Sequence, residues 1–215
     1  MSKRTVLIHP TVFPSVSHFT VIYNAGKVIF EQYDHFEKQT YRNRYYIHGA
    51  HGKQLLTVPV KHSKSNRHRP TKDIEIANEF DWQRQHWKSI ETAYRTSPYF
   101  EYYEDDIRPL FEQKFDKLID FNIEGIKLIA KWLNIPLESG FTTQYLKQPG
   151  GVQDFRYLVD AKKHFEFKDK FETYFQVFSD RNGFLPDLSI LDLMFMKGPE
   201  TAVYLKQHAG LFYKD

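Results

Sequence analysis

Residues 5–34 read TVLIHPTVFPSVSHFTVIYNAGKVIFEQYD, and two apolar runs within this stretch decide the fold. In residues 5–9 (TVLIH), Val6, Leu7 and Ile8 are apolar in succession rather than in alternation, the pattern of a short strand covered on both faces, and Pro10 stops it. Residues 27–33 (KVIFEQY) read as a second strand. Between them, residues 17–24 carry Phe19, Ile22 and Tyr23 on one side of a short helix, with Gly26 just beyond its end as a C-cap. Strand, helix and strand within about 25 residues is the size of a βαβ unit, whose strands run parallel through a right-handed crossover. Both strands then end on one edge of the sheet, where open α/β sheets bind ligands. His9 closes the first strand and Asp34 the second. An imidazole beside a carboxylate is a common general-base pair, so His9 and Asp34 are the candidate catalytic residues. The plainer reading makes His9 a hydrogen-bonded strand end and Asp34 a turn residue.

Working outward, residues 41–48 and 54–60 are rich in aromatic and β-branched side chains around a glycine-containing turn at 49–53, the signature of a hairpin. Residues 73–77 (DIEIA) alternate like one more strand. From Asp81 the period becomes helical. Trp82, His86, Ile90 and Ala93 share a face, Asp81 stands as N-cap and Pro98 as a stop. A further helix is expected to begin at the acidic run 104–106 and to place Ile107, Leu110, Phe111, Phe115, Leu118 and Ile119 on one face. Another carries Ile123, Ile126, Ile129, Ala130 and Leu133 and ends before Pro136. Residues 148–153 (QPGGVQ) read as a flexible joint. Asp187 or Ser189 caps a last apolar helix that Gly198 ends. The expected class is mixed α/β: an N-terminal βαβ unit and β-hairpin forming a sheet, then a mainly helical C-terminal half. A single domain over 1–215 is expected, sheet-rich to about residue 80 and helical from 81.

Composition narrows the function classes. With 41% hydrophobic and 17% aromatic residues the chain folds, and a net charge of +3 is no footprint of a DNA-binding domain. The absence of cysteine removes disulfides, thiolate metal sites and cysteine nucleophiles, and fits a reducing, cytoplasmic setting. The apolar run in MSKRTVLIHP is too short for an export signal, and no stretch is long enough to cross a bilayer. No glycine-rich nucleotide loop, P-loop, zinc-helix motif or nucleophile elbow is present, so no cofactor is expected. His48 and His51 bracket a turn without nearby carboxylates, and no metal is expected there.

Residues 38–44 (KQTYRNR) concentrate polar chemistry. Alternation along a strand would put Arg42 and Arg44 on one face and Asn43 on the other, and two guanidiniums side by side invite a phosphate or a carboxylate between them. Lys38, Arg42, Asn43 and Arg44 are therefore the candidate substrate-binding residues; an exposed face with structural ion pairs is the alternative. Residues 61–72 (KHSKSNRHRPTK) are basic but carry no aromatic residue to stack a base, so a solvated loop is favoured over an RNA contact. The aromatic stretch 93–106 either walls a sugar site or packs in the core.

Three long segments, EKQTYRNRYYIHGAHGKQLLTVPV, HWKSIETAYRTSPYFEYYEDD and YFQVFSDRNGFLPDLSILDLMFMKGPETAVYL, lie in order between residues 37 and 205 and resemble the WbqC-like family of bacterial proteins. The family's His-Gln-Pro segment is matched by His9-Pro10, without the glutamine. The resemblance implies a place among genes for surface polysaccharide (O-antigen) synthesis, where a glycine transferase role has been suggested for some members. It implies a sugar or nucleotide sugar as substrate and an aminoacyl or acyl donor, with aminoacyl-tRNA as one form that donor could take. A non-catalytic sugar-nucleotide-binding or scaffolding protein, and an RNA-binding module, are the rival readings.

Overall fold

Val6, Leu7 and Ile8 are buried as their unbroken apolar run requires, and they form the centre of β1 (Thr5–Ile8) in a computed structural model that describes residues 4–61, 69–163 and 165–213. β1 runs parallel to β2 (Lys27–Phe30) in the register Thr5↔Lys27 to Ile8↔Phe30, with α1 (Val16–Asn24) between them, as the βαβ reading requires. Ser15 caps α1, its hydroxyl accepting from the His18 amide at 3.4 Å. Gly26 is not the C-cap. Ala25 takes that place in an extended conformation, because the Gly26 amide already donates to Arg4 O at 2.9 Å and the chain passes straight into β2.

The sheet has four parallel strands in the order β5-β2-β1-β6, where β5 is Ser139–Phe141 and β6 is Gln153–Asp154. Both added strands come from the second half of the chain, and β6 begins inside the stretch expected to be a joint. Two or three residues are too few to show a period of two, so only pairing with β1 and β2 defines them. The hairpin is present as β3 (Arg44–Gly49) and β4 (Gly52–Thr57), which pair with each other as a separate sheet. Its turn at Ala50-His51 is closed by Gly52 at φ +101°, a conformation in which a Cβ would be strained. Residues 73–77 form no strand. They make isolated bridges, Val60↔Ile76 and Glu75↔Lys117, that bury Ile74 and Ile76.

α2 (Trp82–Tyr94) follows the predicted face with Asp81 at its N-cap position, where the carboxylate pairs with Arg84 rather than with a helix amide. The helix expected from residue 104 is broken into α3 (Phe100–Ile107), α4 (Pro109–Glu112) and the start of α5 (Leu118–Trp132). The break has two causes: Pro109 has no amide to continue α3, and Asp116 O is drawn out to accept from the Ile76 amide at 2.9 Å. The acidic run therefore lies within α3, where Glu104 holds Arg95 and Asp106 holds Lys131 and Trp132. After α6 (Ser179–Asn182), Ser189 rather than Asp187 caps α7 (Ile190–Lys197), accepting from the Leu191 amide, and α8 (Thr201–Gln207) follows Gly198.

The loop leaving β1 is pinned by Phe13. Its ring is buried against Tyr45, Phe111 and Phe121 at centroid distances of 5.2, 5.7 and 5.7 Å, and Gly125 on α5 leaves room for it. Phe13 holds φ +36°, a left-handed conformation costing about 1–2 kcal/mol, which burial of the ring at roughly 1.5–3 kcal/mol offsets. That anchor fixes the path of residues 9–15. Among the described residues, no helix is long and apolar enough to cross a membrane.

Candidate functional site

Strand order grows outward from β1 in two directions: towards β2 and β5 on one side, and towards the late strand β6 on the other. The boundary between β1 and β6 is therefore a topological switch point, and the carboxyl ends of the strands there frame a crevice. A cleft of about 580 Å³ lies at this edge. His9 enters it from the end of β1, Tyr33, Asp34, His35 and Glu37 from the segment after β2, and Asp154, Arg156, Tyr157 and Val159 from β6 and the turn beyond it. Arg42 and Tyr145 complete the lining.

His9 and Asp34, 25 residues apart in sequence, meet here with Nε2 3.5 Å from Oδ2. Arg42 joins them: one Nη2 donates to Asp34 Oδ2 and lies 3.2 Å from His9 Nε2. Thr71 donates to the other carboxylate oxygen at 2.6 Å, and Arg42 Nη1 donates to Thr40 Oγ1 at 3.2 Å. The backbone beneath is held by Asn122 of α5, whose side-chain amide donates to Pro10 O at 3.0 Å and Arg42 O at 2.8 Å. A guanidinium can only donate, so His9 Nε2 is the acceptor and the ring carries its proton on Nδ1. Burial, reinforced by the Arg42 charge, holds His9 well below its ordinary value, so the ring is uncharged at neutral pH.

The opposite wall is built by Arg156. It takes Asp154 at 2.6 Å and the fully buried Glu31 at 3.3 Å, donates to Leu146 O and Lys147 O at 2.9 and 3.2 Å, and lies 5.2 Å from the Tyr145 ring centroid. Glu31 also accepts from the Tyr33 amide at 2.8 Å and from Thr142 at 3.0 Å. Both cleft arginines are thus matched by carboxylates. The three lining acids, Asp34, Glu37 and Asp154, exceed the two lining arginines by one, and Glu37 has no ionic partner among the described residues. The rings of Tyr33, Tyr145 and Tyr157 supply flat apolar surface around these charges.

Of the residues singled out from sequence, His9, Asp34 and Arg42 come together in the cleft, while Lys38, Asn43 and Arg44 are not among its lining residues. Lys38 is exposed on the turn before Tyr41. Asn43 ties the hairpin shut, donating from its side chain to Val58 O at 3.0 Å and accepting the Val58 amide at 2.8 Å. Arg44 stands on β3 opposite Thr57. Tyr33 and Glu37 were open to the same strand-end argument that found Asp34. Tyr145, Asp154, Arg156 and Tyr157 were not, because nothing in their own segment marks β6 as a strand. Of the aromatic stretch, Tyr94, Phe100 and Tyr103 are buried in the core, and none of its residues lines the cleft. The central part of the basic stretch, 62–68, lies outside the described residues. At its edges Lys61 pairs with Glu75 at 3.0 Å and Lys72 covers the Tyr33 ring at 4.1 Å.

Comparison with known proteins agrees with the reach of the sequence resemblance. The chain is 26% identical over 235 residues to the uncharacterized protein Rv1507c of Mycobacterium tuberculosis (strain ATCC 25618 / H37Rv), an alignment covering 95% of this chain and 98% of that relative. No solved structure matches. Residues 9–165 match the WbqC-like protein family, a span that begins at His9 and contains every residue lining the cleft. By that match the chain belongs to the WbqC-like protein family.

Proposed function

We propose that the protein is a transferase of bacterial surface polysaccharide (O-antigen-type) biosynthesis that attaches an aminoacyl group, glycyl among them, or another acyl group to an amino sugar or nucleotide sugar. The observation that carries this reading is the charge balance of the cleft. With Arg42 and Arg156 already neutralised, the described lining residues offer no free guanidinium to a phosphate, whereas Glu37, without an ionic partner among the described residues, favours an ammonium. Three tyrosine rings suit the apolar face of a sugar, and neighbouring carboxylates accept its hydroxyls. In the reaction the sugar amine attacks the donor carbonyl carbon, the new C–N bond forms, and the donor's leaving group departs with its electron pair. His9 takes the proton from nitrogen once Arg42 yields Nε2, and Asp34, 3.5 Å away, stabilises the resulting imidazolium.

A second reading has its own support. His9 Nε2 is engaged by Arg42 and the residue is 4% exposed, an arrangement suited to a sugar-binding protein that does no chemistry. The test is a calorimetric titration with an amino sugar and its N-acetyl counterpart, followed by an acyl-transfer assay monitored by mass spectrometry. Tighter binding of the free amine, weakened in Glu37→Gln, is expected. Equal affinity for both sugars would refute the acceptor assignment. Transfer that survives in both His9→Asn and Asp34→Asn removes the general-base role, and binding without any transfer selects the second reading.

A further inference from the structure

The turn of the β3–β4 hairpin lies against α2, and between them is a cavity of about 700 Å³ that shares no residue with the cleft. The turn supplies His51, Lys53 and Gln54, and Phe178, just before α6, adds a ring. From α2 come Gln85, Lys88, Ser89 and Thr92, whose spacing of three, four and seven places them on one stripe of the helix. The turn is shaped to hold its part of this wall. Gln54 packs across Gly49, where a Cβ would stand 2.6 Å from its Oε1, so glycine is what leaves room for the amide. Lys53 rests over the Tyr46 ring, 4.2 Å from the centroid, and Ser89 donates to Gln85 O at 2.9 Å, which leaves the hydroxyl oxygen free to accept.

Charge separates this cavity from the cleft. Its lining holds two ammonium groups and an imidazole and no carboxylate, and neither Lys53 nor Lys88 has an ion pair among the described residues. The arginines of α2 and its C-cap are matched on the helix itself, Arg84 by Asp81 and Arg95 by Glu91. Lys88 is left facing the cavity beside a second unmatched cation. A concave surface with cations of one sign and no acid gathers anions. Around those cations stand two amides and two hydroxyls, the uncharged groups that bond hydroxyls of a ligand, and the Phe178 ring offers flat apolar surface.

We propose that this cavity is a second binding site, for a phosphorylated sugar. Lys53 and Lys88 hold the phosphate as point charges, and His51 donates to it. Gln54, Gln85, Ser89 and Thr92 bond the sugar hydroxyls. The site does not rest on the transfer reading of the cleft: the two have no residue in common, and this one takes an anion where the cleft favours an ammonium.

Calorimetric titration of the full chain compares glucose 6-phosphate with inorganic phosphate and with glucose, at about 0.15 M salt so that diffuse attraction beyond about 8 Å is screened. Glucose 6-phosphate is expected to bind at least about tenfold more tightly than either part, and Lys53→Gln and Lys88→Gln each to weaken it about tenfold. Lys53 also covers Tyr46, so Lys88→Gln, at an exposed position of α2, decides the matter if the other variant fails to fold. Gln85→Leu leaves the charge unchanged and is expected to weaken glucose 6-phosphate while sparing inorganic phosphate. Affinity unchanged in Lys88→Gln, glucose 6-phosphate bound no more tightly than inorganic phosphate, or no binding below about 10 mM overturns the proposal. So does binding of heparin without any of glucose 6-phosphate, which would assign the surface to a polyanion.

Discussion

Asp34 and Asp192 are both buried carboxylates tied to distant parts of the chain, and they are satisfied in opposite ways. Asp34, at the cleft, faces the Arg42 guanidinium, with Thr71 at 2.6 Å and His9 at 3.5 Å. Asp192, fully buried on α7, accepts only neutral donors: Tyr94 OH at 2.8 Å, Tyr174 OH at 2.7 Å and Gln176 Nε2 at 2.8 Å. Burial pushes the Asp192 carboxyl up, and its three donors only partly counter that. Tyr94 in turn accepts the His48 amide at 3.1 Å, so the Asp192 network joins α2, α7, the hairpin and the 174–176 segment. A buried ion pair seldom adds stability over apolar packing, whereas neutral donors around one acid spread its charge without burying a second ion. The difference teaches that the Asp192 network staples the core with neutral donors, whereas the Asp34 network keeps an ion pair at the wall of the cleft.

The contrast can be broken most sharply at Arg42. Arg42→Met leaves the Asp34 charge buried without its counter-ion and is expected to cost about 3–5 kcal/mol in urea denaturation, while adding Asp34→Leu recovers most of the loss. If single and double variants are equally unstable, the pair is not a coupled unit. Asp192→Asn turns an acceptor into a donor facing donors and should cost about 1–3 kcal/mol, yet leave sugar affinity unchanged. A fall in affinity at constant stability would make Asp192 part of the functional machinery.

The buried histidines extend the comparison to pH. Burial drops His18 from 6.5 to about 3 and His86 to about 4, with His9 lowered in the same direction. The unfolded chain takes up these protons near pH 6.5 and the folded chain only at lower pH. Stability is therefore full above about pH 6.5 and falls on acidification, by about 1 kcal/mol per buried histidine over the first unit. His86→Gln should flatten the fall in Tm between pH 6.5 and 5.5; an unchanged slope would mean that His86 is protonated in the folded state. The smallest stability effect belongs to Glu37→Gln, an exposed change expected within about 0.5 kcal/mol by the same denaturation experiment. A larger loss would show that Glu37 has a structural role in the cleft wall.

Local pattern carried much of this molecule. The unbroken run Val6-Leu7-Ile8 and the apolar spacing of α1 specify a βαβ unit, and the rule that ligands gather at strand ends then picks out His9 and Asp34 from the sequence. Alternation was a weaker guide at residues 73–77, where the backbone spends its hydrogen bonds on single bridges to Val60 and Lys117. It was also weaker at 42–44, where Arg42 precedes β3 and turns towards Asp34.

What the sequence determined by itself is whatever depends on neighbours within a few residues: the buried first strand, the parallel pair, the hairpin and the period of α2 and α5. Tertiary structure alone decided that a two-residue strand near position 153 would complete the sheet, that Arg156, Tyr145 and Tyr157 would line the cleft with His9, and that Asp187 would reach the first turn of α1, 170 residues away. The physical reason is that a strand this short has no periodicity of its own and exists only through the hydrogen bonds of its partner. The partner of a buried charge is likewise chosen by folding, which must match every such charge wherever along the chain its counter-ion lies.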